Sequence, residues 1–397
     1  MSPGPRDHRV QLAAHPVRWT LARLARYGGP VLRIPGVGLV VNDAEVAHDV
    51  LSRDSEFVKC GRGGFADNIT QLLGPFALAN MDGDEHRRLR GMLGDLLSPA
   101  NAVLLLHSYD APLEALRARL AAGETVDLVR FMRIMSGRLT FDMMGVRPPG
   151  EDADVAALAV VALGDRLSTA LRARPLAQRA QRAWQDSVDQ LAAFARAGYD
   201  AADAPDSSLV KRLRDRGLSF EEAKGVLMMF FLGGTLTTSA ALPRIVSLLV
   251  DSGQMAQLRV RPAQIPQAIA EGLRYITPLL ASIRIASRAT RLGARTVRAG
   301  ERIVILVCNT ARDRKLFPDP DRFDISRVHD PRARHLWYGS GPHFCFGFAL
   351  AQRELHAVLA LLATAPGTLR IVRRRAARGV LLPAFARLDV SLDSEEP

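Results

Sequence analysis

The residues best suited to chemistry lie in the stretch GSGPHFCFG, Gly339 to Gly347. A phosphate-binding loop would need GxGxxG or GxxxxGKS/T after a strand, but the third glycine falls at another spacing and no lysine follows. Zinc would need four ligands, and His343 with Cys345 supplies two, with no CxxC or HxxxH pattern elsewhere. A cysteine nucleophile would need an oriented base, and His343 could serve as one, so this alternative stays open.

A thiolate ligand to haem iron accounts for all of these residue types together. The apolar, helix-forming run FALAQRELHAVLALLA follows the loop at once, so Cys345 precedes a helix N-terminus. Free backbone N–H groups and the positive end of the helix dipole favour a thiolate, and glycines let the backbone approach a flat macrocycle. Thiolate donation favours O–O cleavage on the far side of the iron. The alternative is a buried cysteine in an ordinary loop.

The remainder of the chain has the pattern of a mainly helical protein with a small β portion. Two segments are β-prone, VLRIPGVGLVVND at 31–43 and TVRAGERIVILVCN at 296–309. Between them, the long Ala/Leu/Arg segments with helical spacing are 102–121, 151–198 and 220–250. Because no repeat, linker or low-complexity segment divides the chain, we predict one mainly helical domain with a small β portion.

Composition restricts the class of protein. A hydrophobic content of 48% over 397 residues describes a folded chain that can bury a large core and a cofactor within it. Three widely spaced cysteines cannot form a disulfide framework, which indicates a reducing compartment. The arginine-rich N-terminus lacks the apolar stretch of a signal peptide, and the longest apolar run, 226–232, is too short to cross a bilayer. We therefore expect a cytoplasmic protein with no membrane partner.

The formal net charge of +12 comes largely from arginine. Nucleic-acid binding would need basic residues clustered with aromatic ones, but only 6% of residues are aromatic and no recognition motif occurs. We therefore expect no nucleic-acid partner. The charge is then either a generally solvated basic surface or a docking face for an acidic protein.

The segment WYGSGPHFCFGFALA resembles the haem-binding signature of the cytochrome P450 family, Phe-Gly-x-Gly-x-His-x-Cys-x-Gly, with Tyr338 in place of the phenylalanine. The resemblance runs from about Gly28 to near the C-terminus, which implies an N-terminal segment over 1–27 and a single haem-thiolate catalytic domain over 28–397. It implies the family's triangular, mainly helical single-domain fold. It also implies haem b as the cofactor, with Cys345 as the axial thiolate ligand.

Other motifs that resemble those of the family occur in the expected order. EGLR resembles its Glu-x-x-Arg pair, and this spacing puts Glu271 and Arg274 on one face of a helix, where they can form an ion pair. The resemblance implies that Arg322, in FPDPDRF, adds a third charge. DGDEHRRLR at 82–90 resembles the family's Asp-Pro-Pro-Glu-His-x-x-x-Arg segment. The resemblance implies contacts to the haem propionates from four residues: His86, Arg90, Arg284 and His343.

The segment AKGVLMMFFLGGTLTTSAALPRIV at 223–246 resembles the family's central helix over the distal haem face. Phe230, Gly233, Gly234 and Thr237 share one face of such a helix by their spacing. The paired glycines weaken a helix, which predicts a kink or a close approach to the backbone. In the family, dioxygen approaches here, so the resemblance gives the two glycines and Thr237 catalytic positions.

Leu236 departs from the family's Ala/Gly-Gly-x-acid-Thr-Thr motif, in which the acid feeds the proton relay. Heterolytic O–O cleavage needs two protons, and leucine cannot relay one. One hypothesis is that water held by Thr235 or Thr237, or a polar group of the substrate, supplies the path for an ordinary hydroxylation. A second is an enzyme that uses peroxide or performs coupling, nitration or rearrangement. A third is a non-catalytic haem protein that binds a ligand.

The resemblance also implies the partners. We expect no fused flavin or iron–sulfur module, so a monooxygenase would take its electrons from a separate acidic ferredoxin and that ferredoxin's reductase. The arginines near the ligand loop form either a docking face for the ferredoxin or a generic basic surface. These arginines are Arg327, Arg332, Arg334 and Arg353.

The segments that would line the substrate pocket by analogy with the family are largely apolar. They are residues 62–80, residues 155–190, the central helix near Phe230 and Gly233, and the turn Leu279 to Ser282. This composition predicts a hydrophobic or amphipathic small-molecule substrate. The arginines of 163–183 are either solvated, or they recognise an acidic substrate or an acidic carrier protein that holds the substrate.

Overall fold

The computed structural model of the protein describes residues 7–61, 70, 73–150, 152–172, 178–333 and 335–393. Within these ranges the chain is predominantly helical with small sheets, as the sequence predicts. The helices are α1 (Asp7–Ala14), α2 (Pro16–Ala25), α3 (Ala44–Ser52), α4 (Gly83–Leu93), α5 (Pro99–Leu105), α6 (Asp110–Ala121), α7 (Leu128–Met144), α8 (Ala153–Arg172), α9 (Gln178–Asp200), α10 (Leu209–Asp215), α11 (Phe220–Phe230), α12 (Leu236–Asp251), α13 (Met255–Val260), α14 (Ile265–Ile276), α15 (Val307–Thr310) and α16 (Phe348–Thr364).

The strands form three sheets. They are β1 (Val31–Ile34), β2 (Gly38–Val41), β3 (Phe57–Val58), β4 (Val126–Asp127), β5 (Ser282–Ala286), β6 (Thr290–Leu292), β7 (Arg295–Val297), β8 (Arg302–Ile305), β9 (Thr368–Ala376) and β10 (Phe385–Asp393). The sheet orders are β1-β2-β8-β5-β3, β4-β10-β9 and β6-β7.

The two β-prone segments of the sequence meet in the largest sheet. The hairpin β1–β2 comes from 31–43, and β2 pairs in parallel with β8, from Leu39 opposite Ile303 to Val41 opposite Ile305. Gly38 begins β2 with φ +110°, and a Cβ there would lie 2.2 Å from the Arg302 carbonyl oxygen. Glycine is therefore required where the two segments come together.

The segment Phe220–Asp251 forms the centre of the core. Ser219 and Glu222 build a capping box that starts α11, and α12 buries Leu242, Ile245 and Leu249 completely. By length and composition alone, this is the one helix of the described ranges that could cross a membrane. Its burial is that of a core helix, because α7, α14 and α16 pack against α12.

The N-terminal helices pack against the main body. Arg244 in α12 donates from Nε and Nη2 to the Asp7 carboxylate, each at 2.8 Å, and both side chains are buried. Gln11 donates to the Ile276 carbonyl oxygen at 2.6 Å, and Trp19 is buried in α2. The helices α1 and α2 are thus tied to the core by polar contacts, while a domain boundary at residue 27 stays a prediction.

Candidate functional site

The cysteine loop is held between two short turns and α16. Gly339 and Gly341 have φ +85° and +64°, and a Cβ at Gly341 would lie 2.6 Å from the Leu51 carbonyl oxygen. The Cys345 N–H donates to the Tyr338 carbonyl oxygen at 3.0 Å, and the Cys345 carbonyl oxygen accepts from Phe348 at 3.3 Å. The loop therefore fixes Cys345 at the entrance to α16, the position that the sequence predicts.

The protonation state of Cys345 is set by opposing effects. Burial raises the pKa of its thiol, whereas the Gly347 N–H and the positive charges of Arg90 and Lys59 lower it, and the net direction is upward. Burial thus outweighs the Gly347 N–H and the two neighbouring charges. A coordinating metal ion deprotonates a thiol, so Cys345 would be a thiolate when it binds iron.

The residues predicted to contact the propionates lie around this loop. Arg90 in α4 donates to the Phe344 carbonyl oxygen at 2.7 Å. Arg284 in β5 is 4% exposed and donates to Ser282 Oγ at 3.0 Å. The rings of His86 and His343 stack with their centroids 4.1 Å apart. The structure thus brings α4, β5 and the cysteine loop together at one place.

Lys59, just beyond β3, is a fifth basic residue of this cation cluster, and sequence reasoning missed it. Burial and the nearby Arg284 charge lower the pKa of its ammonium to about 7. Burial, and then repulsion from neighbouring cations, lowers the pKa of His86 to about 3 and of His343 to about 4. No motif marks Lys59, although it is a lysine in a chain whose basic residues are mostly arginine.

Among the described residues, Asp82 is the carboxylate that faces this cation cluster. It accepts from the Lys59 and Cys60 N–H groups at 2.9 and 2.8 Å and lies 3.3 Å from His343 Nε2. His86 Nδ1 and His343 Nε2 are buried without a partner in hydrogen-bond geometry. Asp82 thus faces two arginines, a lysine and two buried imidazoles with unpartnered nitrogens, which leaves room for further anions, and the two propionates of haem fit this need.

The central helix changes its winding at the paired glycines. Phe231–Thr235 is a π-helical turn between α11 and α12, which confirms the predicted irregularity. A Cβ at Gly233 would meet only Met229 Cε, at 3.6 Å, and one at Gly234 would meet nothing within 4 Å. Space is therefore open beside both glycines.

The hydroxyls that follow the glycines bond back to the helix. Thr237 donates to the Gly233 carbonyl oxygen, and Thr238 donates to that of Gly234 at 3.0 Å. Leu236 turns toward α8, and its Cδ2 lies 3.6 Å from where a Cβ on Gly164 would be. The residue in the acid's place thus packs against an apolar neighbour.

The Glu271–Arg274 pair is fully buried. Arg274 donates from Nε and Nη2 to the two Glu271 carboxylate oxygens at 2.7 and 2.8 Å, and from Nη1 to the carbonyl oxygens of Ala311 and Pro320. Burial would raise the pKa of Glu271, but hydrogen bonds from Arg274 and His329 lower it to about 2. The pair thus fastens α14 to the loop before the cysteine.

The third charge of this network is Arg327, so the prediction of Arg322 is wrong. Arg327 Nε lies 3.3 Å from Glu271 Oε1, whereas the Arg322 side chain is 71% exposed beside Asp324. Arg322 contributes only its carbonyl oxygen, which accepts from Arg274 at 3.3 Å. The reason is local: Phe323 takes the inward position, so the preceding side chain points outward.

The four arginines proposed as a docking face differ in their surroundings. Arg327 is largely buried in the ion network and is therefore excluded from a docking face. Arg332 pairs with Asp330 and Glu45, and Arg334 lies outside the described residues. Arg353 is exposed and lines a groove beside α16.

Several predicted pocket segments lie partly outside the described residues. They are 62–80, where 62–69 and 71–72 are outside, and 155–190, where 173–177 are outside. The turn that would close the pocket exposes half of the Leu279 side chain. The substrate pocket therefore stays a prediction.

Comparison with known proteins places the chain in a family. The cytochrome P450 family model matches residues 264–363. The chain is 32% identical over 288 residues to cytochrome P450-SU2 of Streptomyces griseolus, which covers 71% of this chain and 68% of that protein. It is 30% identical over 326 residues to nocardicin C N-oxygenase of Nocardia uniformis subsp. tsuyamanensis, which covers 78% of each.

A solved structure shows the same fold. P450BioI in complex with an acyl carrier protein ligated to hexadec-9Z-enoic acid superimposes with a TM-score of 0.81, at 21% identity, over 97% of this chain and 99% of that one. This likeness concerns the fold alone. Together with the cysteine loop, the cation cluster and the two relatives, it leads to one conclusion: this chain is a member of the cytochrome P450 family, an oxidoreductase of the P450 type.

Proposed function

We propose that this protein is a haem b monooxygenase that inserts one oxygen atom of dioxygen into a hydrophobic or amphipathic small molecule. The observation that carries the proposal is the cation cluster beside Cys345, in which two arginines, a lysine and two histidines, all buried or partly buried, face one carboxylate among the described residues. The name of a relative, nocardicin C N-oxygenase, supports oxygen insertion as the reaction class.

Different residues of the chain would bind the cofactor, deliver protons and position the cysteine loop. Cys345 would ligate the haem iron through its sulfur, and His86, Arg90, Arg284, His343 and Lys59 would hold the propionates. When bound, thiolate-ligated haem supplies O–O cleavage and oxygen transfer. Gly233 and Gly234 leave room beside the helix, and Thr237 offers a hydroxyl for proton delivery. Glu271, Arg274 and Arg327 keep the loop that precedes Cys345 in place.

We infer that the electrons come from an acidic ferredoxin with its reductase. Arg353 is exposed at the groove beside α16, the helix that follows the cysteine loop, so it could contact an acidic partner there. The substrate is a free molecule or one held by a carrier protein. The carrier in the P450BioI structure belongs to that protein and motivates a test with carrier-bound substrates here.

The cofactor is tested by absorption spectroscopy. The purified protein should show a haem band and, when reduced under carbon monoxide, the band of a thiolate-ligated haem. C345S should lose the thiolate signature. K59M should weaken haem binding about 10-fold, as expected for a lost charge-assisted contact, while K224M, which breaks only the surface pair with Glu221, should not. A wild-type protein without a haem band would overturn the proposal.

The reaction is tested by titrating the haem protein with fatty acids, terpenoids, aromatic amino acids and small polyketides, free and carrier-bound. A shift of the haem band identifies the substrate class. That substrate should then drive consumption of reduced nicotinamide with ferredoxin and reductase present, and the product should contain one oxygen from dioxygen. Tight binding without turnover under any oxidant would instead indicate a non-catalytic ligand-binding protein.

Leu236 favours a second candidate function, in which the enzyme uses peroxide or performs coupling, nitration or rearrangement. Its side chain packs against α8 and carries no proton, so the family's usual relay is missing at this position. This candidate predicts product with peroxide alone, or product without inserted oxygen. L236E should then change the distribution of products, and an unchanged distribution would remove Leu236 from the argument.

A further inference from the structure

A small internal cavity lies beneath the π-helical turn. About 20 Å³ of it is open to the centre of a water molecule, which is room for one water. Its polar wall residues come from α7, α16 and the π-helical turn; they are Ser136, Thr140, Gly234, Thr235 and Glu354. The rest of the wall is apolar, so this is a polar spot within the core.

Two polar atoms of this wall lack a partner. Glu354 Oε2, in α16, and Ser136 Oγ, in α7, are buried without a group in hydrogen-bond geometry. Glu354 is only 2% exposed. Buried polar atoms that share a cavity large enough for water are normally bridged by water. The cavity is therefore a site for one ordered water between Glu354 and the π-helical turn.

Glu354 is surrounded by hydroxyls rather than cations. Burial raises the pKa of its carboxyl to about 7, and the hydroxyls of Thr238 and Tyr109 only partly oppose this rise. The other titratable group that senses its charge is Tyr338. Burial raises the pKa of Tyr109 well above its usual value, so that phenol stays neutral. Glu354 thus exchanges a proton near neutral pH.

Tyr109 lies beside the Glu354 carboxyl. It lines the large groove beside α16, together with Gln352 and the exposed Arg353. Tyr109 is itself 1% exposed, and its hydroxyl lacks a partner in hydrogen-bond geometry. A phenol can accept a proton on one side while it donates its own on the other, so Tyr109 can exchange protons between the groove and Glu354.

We propose that Glu354 is the proton donor of the π-helical turn, supplied from the groove beside α16 through Tyr109. Glu354 passes its proton to the cavity water, and the water passes one of its own to the Thr235 hydroxyl in the cavity wall, which releases its proton toward the reacting centre beside Gly233 and Thr237. The carboxylate left behind is reprotonated through Tyr109 from solvent in the groove. No oxidant or reductant is involved, because only protons move. The proposal rests on the proposed function, in which this turn borders the reacting centre.

This assignment answers the question that Leu236 raises. The side chain in the place of the family's acid faces α8 and cannot carry a proton. Glu354 reaches the same turn from the opposite helix, and Thr238 donates to the Gly234 carbonyl oxygen within that turn. In this proposal the proton reaches the π-helical turn from the side of the central helix that faces α16.

The first test measures the carboxyl itself. Infrared difference spectra of the haem-loaded protein between pH 6 and pH 8 should contain the band of a protonated carboxyl that is lost as pH rises through about 7. E354Q should remove this band. The matched control E114Q removes an exposed carboxylate of α6 and should leave the band unchanged. A band that persists in E354Q, or no band in the wild type, would overturn the proposal.

The second test follows the fate of electrons in the haem protein with a ferredoxin, its reductase and dioxygen. E354Q should release about 10-fold more hydrogen peroxide per reduced nicotinamide consumed, at the lower end of what a general acid contributes. E354D should lower the share of hydrogen peroxide part of the way back toward the wild type. Adding L236E to E354Q should lower it too, because that change supplies an acid on the α8 side of the central helix. An unchanged peroxide share in E354Q would refute the proton-donor role.

A variant that blocks the reprotonation of Glu354 distinguishes a loss of proton transfer from a loss of folded protein. Y109F keeps the ring and removes the hydroxyl, so the infrared band should remain while the peroxide share rises as in E354Q. A Y109F enzyme as well coupled as the wild type would exclude the route through Tyr109. If the wild type consumes no dioxygen at all, the proposed function fails, whereas the infrared band of Glu354 still reports on the carboxyl independently.

Discussion

Two buried glutamates on adjacent helices have pKa values that are shifted in opposite directions. Glu271 in α14 is 0% exposed and Glu354 in α16 is 2% exposed, and the two helices pack against each other. The pKa of Glu271 is lowered to about 2, while that of Glu354 is raised to about 7. Since burial raises the pKa of both carboxyls, the difference must come from their partners.

The partners explain what each glutamate can do. Glu271 accepts from Arg274 and the Asp324 N–H and lies 3.1 Å from His329 Nε2, so its charge is permanent and joins a helix to a loop. Glu354 has hydroxyls beside it and one oxygen without a partner, so its proton is exchangeable. A fixed charge stabilises structure, whereas a carboxyl that titrates near pH 7 is suited to proton transfer.

The largest effect should come from removing the fixed charge. E271Q leaves Arg274 and Arg327 buried without their carboxylate, and breaking a buried pair costs about 3–5 kcal/mol. We expect the free energy of unfolding to fall by this amount in denaturant titrations followed by circular dichroism. E354Q, an identical chemical change one helix away, should cost far less, because it leaves no charge unpaired. Equal losses in the two variants would contradict the comparison.

The pH dependence of the free energy of unfolding should have opposite signs for the two glutamates: the Glu354 contribution is lost as pH rises, and the Glu271 contribution is lost as pH falls. Glu354 has a folded pKa above its usual 4.5, so the native state holds its proton more tightly, and its stabilising contribution is complete below pH 4.5 and lost as pH rises through 7. This amounts to about 3 kcal/mol. Glu271 has a lowered pKa, so its contribution is present above pH 4.5 and lost as pH falls through about 2.

Unfolding titrations at pH values from 4.5 to 8 measure this difference. The wild type should lose stability relative to E354Q as pH rises across the range, because glutamine has no proton to lose. The exposed-site control E114Q should follow the wild type. Parallel curves for the wild type and E354Q would show that the Glu354 carboxyl does not titrate in this range.

The contrast between these glutamates also separates what the sequence could predict from what it could not. The sequence places Cys345, the helix after it and the Glu271–Arg274 pair correctly, because each depends on neighbours within one loop or one helical turn. Lys59 and Glu354 acquire their roles from elements distant in the chain. Glu354 lies in an ordinary helical run, and the carboxyl becomes special only when Tyr109 and Thr238 enclose it.

The error at Arg322 has the same origin. Sequence context offers several arginines after FPDPD, and only the path of the loop decides which one turns inward. Phe323 is 4% exposed and occupies the inward position next to Arg322. After the turn that follows, Arg327 points back to Glu271. The choice between Arg322 and Arg327 depends on the path of the loop backbone, which the spacing of residues along the sequence does not reveal.

Substitutions of Arg327 and Arg322 should cost less stability than E271Q, and they should cost different amounts. R327Q removes a cation beside Glu271 Oε1, and it also removes the hydrogen bonds from Arg327 to the carbonyl oxygens of Asp319 and Arg322. We expect the free energy of unfolding to fall by about 1.5–3 kcal/mol. R322Q removes an exposed side chain and should stay within about 0.5 kcal/mol of the wild type. The reverse order would restore Arg322 as the third charge.

The smallest effect should come from a hydroxyl beside Glu354. The Thr238 hydroxyl donates to the Gly234 carbonyl oxygen in the structure and can turn to the Glu354 carboxyl when that group ionises. T238V should therefore raise the pKa of Glu354 further, by less than about one unit, since a hydrogen bond contributes about 1 kcal/mol. The midpoint of the infrared carboxyl band against pH measures this shift. S239A removes a neighbouring hydroxyl that bonds to the Thr235 carbonyl oxygen instead, and its midpoint should match the wild type. A midpoint lowered in T238V would mean that Thr238 stabilises the neutral acid, in which case the hydroxyl accepts from Glu354 and lies on the path of its proton.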